Sequence, residues 1–259
     1  MDGEALALSG AGAEAEREGG CAPAAPERTT LRVGGFVPFT STDYPDALAA
    51  VVFCQGCPWR CGYCHNPHLI PAHGGDEIAF DGVLDWLAAR RGLLDAVVFS
   101  GGEPTAQPTL VDAIGAVRRL GFDVGLHTGG AYPRRLARAL PQVDWVGLDV
   151  KAPAADYPAV TGVPGSGMTA LASLDLLVAA GIEYEVRTTV HPALTPSPAL
   201  ERLARELAAR GVERWILQRF RATGCANEDV VASASAGMIL DRGLLGRLSE
   251  QIPFIEIRG

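Results

Sequence analysis

Four of the six cysteines lie within eleven residues, in the sequence Cys54-Gln-Gly-Cys57-Pro-Trp-Arg-Cys61-Gly-Tyr63-Cys64. Three of them have the spacing C-x3-C-x2-C, and Tyr63 directly precedes the last. Three thiolates on one short loop can ligate three irons of a 4Fe–4S cluster and leave the fourth iron without a protein ligand. Catalytic metal sites keep such an open position, whereas structural sites are closed. The spacing therefore predicts a cluster, held by Cys57, Cys61 and Cys64, that binds a further ligand.

A structural zinc site formed by all four cysteines is the main alternative, because they make two C-x2-C pairs. Zinc-binding pairs are usually separated by about twelve or more residues, and here the gap is three. Free thiols are the other alternative. Cys54 follows an apolar run and is expected to be a small buried residue. Cys21 and Cys225 receive no role, and a second cluster at Cys225 is not expected, because it has no C-x2-C partner.

The composition limits the classes of function. The chain has 259 residues, 48% of them hydrophobic, and a net charge of −8. The sequence has no long basic run, so nucleic acid is not expected as a partner. No apolar stretch is long enough to predict a membrane span. The clustered cysteines and the absence of a signal-peptide pattern predict a cytoplasmic protein with a metal or redox site.

Residues 1–28, rich in Ala, Glu and Gly, are predicted to form a disordered tail, and residues 29–259 a single domain with a short C-terminal extension. Helical patterns alternate with apolar runs in the domain, which predicts parallel strands joined by crossover helices. The fold class is thus α/β, a partial (β/α)6 TIM-like barrel. The predicted strands are Ala49–Phe53, Ala96–Phe99, Asp123–Leu126, Trp145–Val150, Tyr184–Val190 and Trp215–Phe220, with a short one at Pro253–Ile257. The predicted helices lie at about 80–91, 108–120, 133–140, 168–180, 198–210 and 238–250.

Unusual polar residues follow each of the six strands. Barrels of this kind place their chemistry at the carboxyl ends of the strands, so these residues are expected to meet there. They are Cys54 to His65, Ser100 to Pro104, His127-Thr128, Asp149 to Lys151, His191 and Gln218 to Arg221.

The cysteine motif resembles the signature of the radical S-adenosylmethionine (SAM) superfamily, and Ser100-Gly-Gly-Glu-Pro104 resembles its second motif. The sequence Cys64-His-Asn-Pro67 is similar to the activating enzymes of glycyl radical enzymes. The segment Gly35–Pro45 looks like the opening of the anaerobic ribonucleoside-triphosphate reductase activating proteins. The resemblance covers about residues 32–225 and implies the radical SAM type of partial barrel.

The resemblance also implies where SAM binds. The methionine amino and carboxylate groups would chelate the open iron, Gly101 and Gly102 would let the backbone approach the ligand, and Glu103 would accept from the ammonium group. Asp149 and Lys151, which alternation puts on one face, would lie near the SAM carboxylate. Further SAM contacts are expected from Tyr63, Asn66, Thr128 and Arg187.

Some of these residues have a second interpretation. Arg187 lies in a predicted buried strand, so it needs a partner, either SAM or Glu185 on the same face. His127 stands where related activases have an acidic residue or Asn, so a cation site built like theirs is not expected.

The chemistry implied is reductive cleavage of SAM to a 5′-deoxyadenosyl radical that takes a hydrogen atom from a glycine of a partner enzyme. The partner would be anaerobic ribonucleoside-triphosphate reductase or a related enzyme, and the electron would come from an external donor such as flavodoxin or ferredoxin. No side chain is expected to act as base or nucleophile. The alternatives are a radical SAM enzyme acting on a small molecule or tRNA base, as deazaguanine synthases do, and a non-catalytic iron–sulfur or zinc protein.

Overall fold

The computed structural model describes residues 30–234 and 240–259. The predicted tail at 1–28 lies outside the described residues. The strands are β1 Arg32–Thr40, β2 Ala49–Cys54, β3 Ile78–Ala79, β4 Ala96–Gly101, β5 Asp123–Thr128, β6 Trp145–Asp149, β7 Glu183–Val190, β8 Arg214–Arg219 and β9 Phe254–Arg258. The helices are α1 Phe80–Ala88, α2 Leu110–Arg119, α3 Pro133–Ala139, α4 Tyr157–Thr161, α5 Ser166–Ala180, α6 Ser197–Ala208, α7 Glu228–Ala234 and α8 Arg242–Ser249.

One sheet of nine strands organises the chain, in the order β3-β1-β2-β4-β5-β6-β7-β8-β9. Seven strands, β2 and β4 to β9, run parallel to one another, and β1 is antiparallel to both β2 and β3. The two end strands of this order, β3 and β9, are not paired with each other, so the barrel is not closed. The predicted partial α/β barrel is confirmed, and the carboxyl ends of its parallel strands meet at one edge.

The parallel strands lie where the sequence has short runs of apolar residues. The first four residues of β4, Ala96–Phe99, are fully buried because helices cover one face of the sheet and the barrel interior covers the other. Glycines end several of the intervening helices; Gly181, for example, follows α5 with φ +68°, a conformation that favours glycine. Apolar runs in the strands and glycines after the helices explain why the six β/α units could be predicted from the sequence.

The region before the cysteine loop differs from expectation. No strand was predicted there, yet β1 pairs antiparallel with both β2 and the edge strand β3. Its sequence, Arg-Val-Gly-Gly-Phe-Val-Pro-Phe-Thr, lacks a continuous apolar run, and its pairing with β2 is interrupted twice by register shifts. The segment between β1 and β2 then enters the barrel, where Tyr44 contacts Trp145 with 5.5 Å between ring centroids. Two short helices, α4 and α7, were also not predicted. Of the helix predicted at about 238–250, residues 242–249 form α8.

An ion pair fixes the last strand to the barrel interior. Arg258 on β9 donates two hydrogen bonds, of 2.8 and 2.9 Å, to the carboxylate of Glu185 on β7. The Glu185 side chain is only 3% exposed. Glu185 is therefore held by the C-terminal strand, not by Arg187.

Replacing Arg258 with Ala is expected to lower the free energy of unfolding by about 3 to 5 kcal/mol, because it leaves a buried carboxylate without a partner. Arg247→Ala is the matched control, since Arg247 pairs with the more exposed Glu201, and it should cost about 1 kcal/mol or less. Urea unfolding of both variants provides the measurement. Equal losses would show that burial of Glu185 does not govern the effect.

No helix among residues 30–234 and 240–259 is long and apolar enough to cross a membrane.

Candidate active site

The cysteine loop begins where β2 ends and is held in place by backbone hydrogen bonds. The amides of Arg60 and Gly62 donate to the carbonyls of Thr161 and Val160, at 2.8 and 3.1 Å. These carbonyls belong to the last residues of α4, whose first residue, Tyr157, also accepts a hydrogen bond from the amide of Lys151 at 2.9 Å. The short helix thus fixes the loop that carries the predicted metal ligands.

Cys57, Cys61 and Cys64 line one cavity, at the edge of the sheet where the parallel strands end. The cavity has a volume of about 270 Å³. Cys54 instead packs in the hydrophobic core and is fully buried. The three cysteines predicted as ligands are therefore brought together, and the fourth is separated from them.

All the predicted SAM-contacting residues line the same cavity. They are Tyr63, Asn66, Gly101, Gly102, Glu103, Thr128, Asp149, Lys151 and Arg187. They come from the cysteine loop and from the ends of four strands, β4 to β7. Not every polar residue after a strand lies there: His191 does not line the cavity, because its ring is fully buried and hydrogen-bonded to the carbonyl of Val230 at 3.0 Å.

The environment of the thiols favours their neutral form when no cation is bound. Burial, with a smaller effect of the Glu103 carboxylate, raises the pKa of Cys57 to about 12. Burial also raises the pKa of Cys61. Because iron binds thiolates, cluster assembly here has to displace protons from these side chains.

Gly101 and Gly102 are required by the packing of the backbone itself. A Cβ atom on Gly101, whose φ is +113°, would lie 2.4 Å from the backbone nitrogen of Cys54, and one on Gly102 would lie 2.5 Å from the carbonyl oxygen of Gly56. The amide of Gly102 also donates to the Cys54 carbonyl at 2.9 Å. The two glycines allow the end of β4 to pack directly against the start of the cysteine loop, a reason that differs from the predicted close approach to a ligand.

Glu103 is 2% exposed, and its carboxylate accepts hydrogen bonds from the chain itself. The donors are the amide and hydroxyl of Thr105, the hydroxyl of Thr128 at 2.6 Å and the amide of Gly129 at 2.8 Å. Thr128 thus contacts Glu103 and in turn accepts from the amide of Gly130 at 3.0 Å. Glu103 joins the end of β4 to the end of β5.

Asp149 is the centre of a charged group on the strand ends. Its carboxylate accepts from Nε of Arg187 at 2.8 Å and lies 3.5 Å from Nζ of Lys151. Burial would raise the pKa of Asp149, but the two cations outweigh it and lower the pKa to about 2. Asp149 and Arg187 are direct neighbours across β6 and β7, which explains why Arg187 pairs with Asp149.

Gly147 makes this pairing possible. A Cβ atom at Gly147 would lie 2.7 Å from the guanidinium carbon of Arg187. The guanidinium therefore occupies the space above a residue without a side chain, and it also donates to the Gly147 carbonyl at 3.4 Å.

His127 links the cavity to the segment that enters the barrel. Its Nε2 donates to the carbonyl oxygen of Asp43 at 2.9 Å. Burial and the nearby Arg187 cation lower the pKa of His127 to about 3. The imidazole is therefore neutral at physiological pH.

This low pKa predicts a pH dependence of stability. In the unfolded chain His127 takes up a proton below about pH 6.5, whereas the folded protein excludes it down to about pH 3, so protonation favours unfolding over that range. The free energy of unfolding should therefore fall less steeply for His127→Asn than for the unchanged protein as the pH is lowered from 7 to 4. Denaturant unfolding at several pH values measures this difference. Parallel slopes would contradict it. His68→Asn, at an exposed histidine, is the control and should keep the original slope.

Tyr63 gives the best indication that the cavity is shaped for a ligand. It is 5% exposed and lines the cavity, yet its hydroxyl has no hydrogen-bond partner among the described residues. Buried hydroxyls are nearly always hydrogen-bonded, so a group absent from the protein is expected to supply the partner. Together with three thiols on one wall and the cations of Lys151 and Arg187, this fits a 4Fe–4S cluster and an amphoteric ligand such as SAM.

Several residues of the cavity were not predicted as ligand contacts: Asp43, Trp59, His65, Ser100, His127, Gly129, Thr189 and Gln218. Alternation along β7 from Arg187 would have found Thr189, because residues two apart lie on the same face. Trp59 lies within the cysteine loop itself. Asp43 had no comparable signal, since its position depends on the entry of residues 41–48 into the barrel.

The fold and the site define a class of protein, an open α/β barrel that carries a three-cysteine cluster loop beside a ligand cavity. The sequence of residues 51–214 matches the family described as the radical SAM superfamily. A protein of Methanocaldococcus jannaschii whose name refers to the glycyl-radical enzyme activating enzymes is 29% identical over 208 residues, which cover 76% of this chain and 83% of the relative. The pyruvate formate-lyase-activating enzyme of Clostridium pasteurianum is 33% identical over 159 residues, 58% of this chain and 65% of the relative.

The crystal structure of Streptococcus suis SuiB bound to S-adenosylmethionine has a similar fold, with a TM-score of 0.58 at 13% identity, covering 79% of this chain and 48% of that one. The chain belongs to the radical SAM superfamily. Its cofactors are one 4Fe–4S cluster and SAM, and it is an enzyme of the kind that includes the glycyl-radical activating enzymes.

Proposed function

We propose that this enzyme generates a glycyl radical on a partner protein, and that the partner is anaerobic ribonucleoside-triphosphate reductase. The observation that carries the proposal is the cavity in which three cluster thiols face the charged strand ends, in a chain similar to two named activating enzymes. When bound, the cluster and SAM supply a 5′-deoxyadenosyl radical that removes a hydrogen atom from a glycine. Cys57, Cys61 and Cys64 would hold the cluster, and the protein's other residues bind SAM and exclude water.

The charged group around Asp149 is suited to the methionine end of SAM. Lys151 and Arg187 present two cations near one carboxylate, so the group can attract a second carboxylate. Glu103 receives a single hydrogen bond on Oε2, from Gly129, and this oxygen can accept another from an ammonium group. Tyr63 and Asn66 come from the cysteine loop and would contact the rest of the ligand.

The choice of partner rests on the open sheet and on the segment Gly35–Pro45. Because β3 and β9 are not paired with each other, a loop of a large protein can enter between the two edges of the sheet. The segment that resembles the reductase-activating proteins includes Asp43, which lines the cavity. The resemblance of this segment to the reductase-activating proteins favours the reductase over other glycyl radical enzymes.

Anaerobic incubation of the reconstituted enzyme with SAM, dithionite and candidate partners tests the proposal. We expect 5′-deoxyadenosine by chromatography and a glycyl radical signal by electron paramagnetic resonance with anaerobic ribonucleoside-triphosphate reductase. A signal with pyruvate formate-lyase alone would overturn the partner. Cleavage of SAM without a radical on either protein would favour a small-molecule or tRNA substrate, and an intact cluster that produces no 5′-deoxyadenosine would overturn the enzymatic proposal.

A further inference from the structure

Two residues of the cavity carry polar groups that the protein itself does not use. Thr189 and Gln218 line the cavity, each as the second-to-last residue of its strand, β7 or β8. Within the part of the chain that the structure describes, the Thr189 hydroxyl and the Gln218 amide have no hydrogen-bond partner. The rings of His65 and His127, by contrast, are bonded to backbone carbonyls at 2.9 Å. The hydroxyl of Ser100 is also unpartnered, but Ser100 belongs to the motif predicted to bind SAM.

The two unpartnered groups lie next to each other. Thr189 and Gln218 are direct neighbours in the register between β7 and β8. Thr189 follows Arg187 by two residues, so alternation puts both on the cavity face of β7. The hydroxyl and the amide are therefore presented side by side at the carboxyl end of the sheet.

The order of the strands puts this pair between the SAM contacts and an edge of the sheet. The predicted SAM contacts come from the cysteine loop and from the ends of β4 to β7, whereas β8 supplies none. β8 pairs with β9, the strand that ends the described sheet. A polypeptide loop that enters past β9 would therefore meet Gln218 and Thr189 before it reaches SAM.

The charged residues nearest the pair are neutralised or lie on the other face. Arg258 is the neighbour of Gln218 on β9, and its guanidinium donates two hydrogen bonds to the Glu185 carboxylate. Arg219, the next residue on β8, alternates to the opposite face. Thr189 and Gln218 are themselves neutral, so they suit a neutral ligand that forms hydrogen bonds better than a phosphate or a carboxylate.

We propose that Thr189 and Gln218 form a subsite for the peptide backbone beside the target glycine of the partner protein. The inference rests on the proposed glycyl radical function and names the residues that hold its substrate. Because glycine has no side chain, only the peptide N–H and C=O groups around it can be recognised. A Gln amide and a Thr hydroxyl can each donate and accept a hydrogen bond, so the pair matches such groups and can fix the glycine in the cavity.

Partner protein that contains α-deuterated glycine tests the subsite. On transfer, the Cα–D bond of the glycine breaks, a C–D bond forms at the 5′ carbon of 5′-deoxyadenosine, and the unpaired electron stays on the glycine. The reconstituted enzyme would be incubated anaerobically with SAM, dithionite and labelled anaerobic ribonucleoside-triphosphate reductase or pyruvate formate-lyase. Mass spectrometry gives the fraction of 5′-deoxyadenosine that carries deuterium. This fraction is a ratio, so it does not depend on how much of a variant is folded.

Gln218→Met and Thr189→Val are each expected to lower the deuterated fraction about tenfold, because a radical beside a poorly held glycine takes hydrogen from elsewhere. Thr189→Ser keeps the hydroxyl and should keep the fraction. Gln251→Met is the matched control, at an exposed glutamine after α8, and should keep it too.

The outcomes separate the subsite from the proposed function. An unchanged fraction in either Gln218→Met or Thr189→Val would overturn the paired subsite and leave the proposed function standing. A loss in Thr189→Ser as large as that in Thr189→Val would also overturn it, because the hydroxyl would then not be what matters. If the unchanged enzyme forms 5′-deoxyadenosine without deuterium from either labelled partner, the proposed function fails and the subsite fails with it.

Discussion

Replacing Cys57, Cys61 or Cys64 with Ala is expected to abolish both the bound 4Fe–4S cluster and the formation of 5′-deoxyadenosine. Each of these cysteines lines the cavity, and a three-thiolate site has no spare ligand to replace the one removed. Iron content and the visible absorption of the anaerobically reconstituted protein give the first measurement, and chromatography of the SAM products gives the second.

Cys54→Ala is the internal control for this prediction. Cys54 lies at the end of the same strand–loop segment, three residues from Cys57, but its side chain is fully buried in the core. We expect it to keep its cluster and its activity and to lose about 1 kcal/mol of stability. Loss of the cluster in Cys54→Ala would contradict the assignment of three ligands and make Cys54 a fourth one.

Serine variants make the contrast sharper. Ser is close to Cys in volume, so Cys61→Ser preserves packing while replacing the thiolate ligand with a hydroxyl. If the cavity needs thiolates, Cys61→Ser should fail to hold a stable cluster while its unfolding transition without iron stays close to that of the unchanged protein. Loss of folding in Cys61→Ser would show that the thiol has a packing role.

The sequence predicted the parallel strands and the cluster loop because each has a strong local signal. A strand such as Ala96–Phe99 is buried on both faces and shows as an apolar run, and the cysteine spacing reflects one short loop. The strand β1 has no such signal: its outer residues Val37 and Phe39 are exposed, and glycines and a proline interrupt it. Its position depends on pairing with β2, which local patterns do not report.

Pairing of charged residues was likewise only partly predictable. The alternation of side chains along a strand correctly put Asp149 and Lys151 on the same face, but it suggested Glu185 as the neighbour of Arg187. The partner of Arg187 is set by the register between β6 and β7, which places Asp149 beside it. Glu185 is instead reached by Arg258 from β9, two strands away. Cross-strand register is a tertiary property, so sequence spacing within one strand could not supply it.

Glu103→Gln is expected to destabilise the protein before any SAM is bound. The carboxylate accepts from Thr105, Thr128 and Gly129 at a site almost without solvent. An amide in its place turns one acceptor oxygen into a donor, so at least one buried N–H or O–H faces another donor. Hydrogen bonds to a buried charged group are strong, and we expect the free energy of unfolding to fall by about 2 kcal/mol or more.

Urea unfolding of the cluster-free protein separates this role from the predicted contact with the SAM ammonium group. Glu77→Gln is the control, because the exposed Glu77 also accepts from a backbone amide, that of Gly74 at 2.9 Å, and it should change stability by about 0.5 kcal/mol or less. If Glu103 acted on SAM alone, Glu103→Gln would unfold like the unchanged protein and would only weaken SAM binding. If Glu103 joins β4 to β5 as its contacts indicate, Thr128→Val should also lower the free energy of unfolding. The double variant should then lose less stability than the sum of the two single variants, because both substitutions remove the same hydrogen bond.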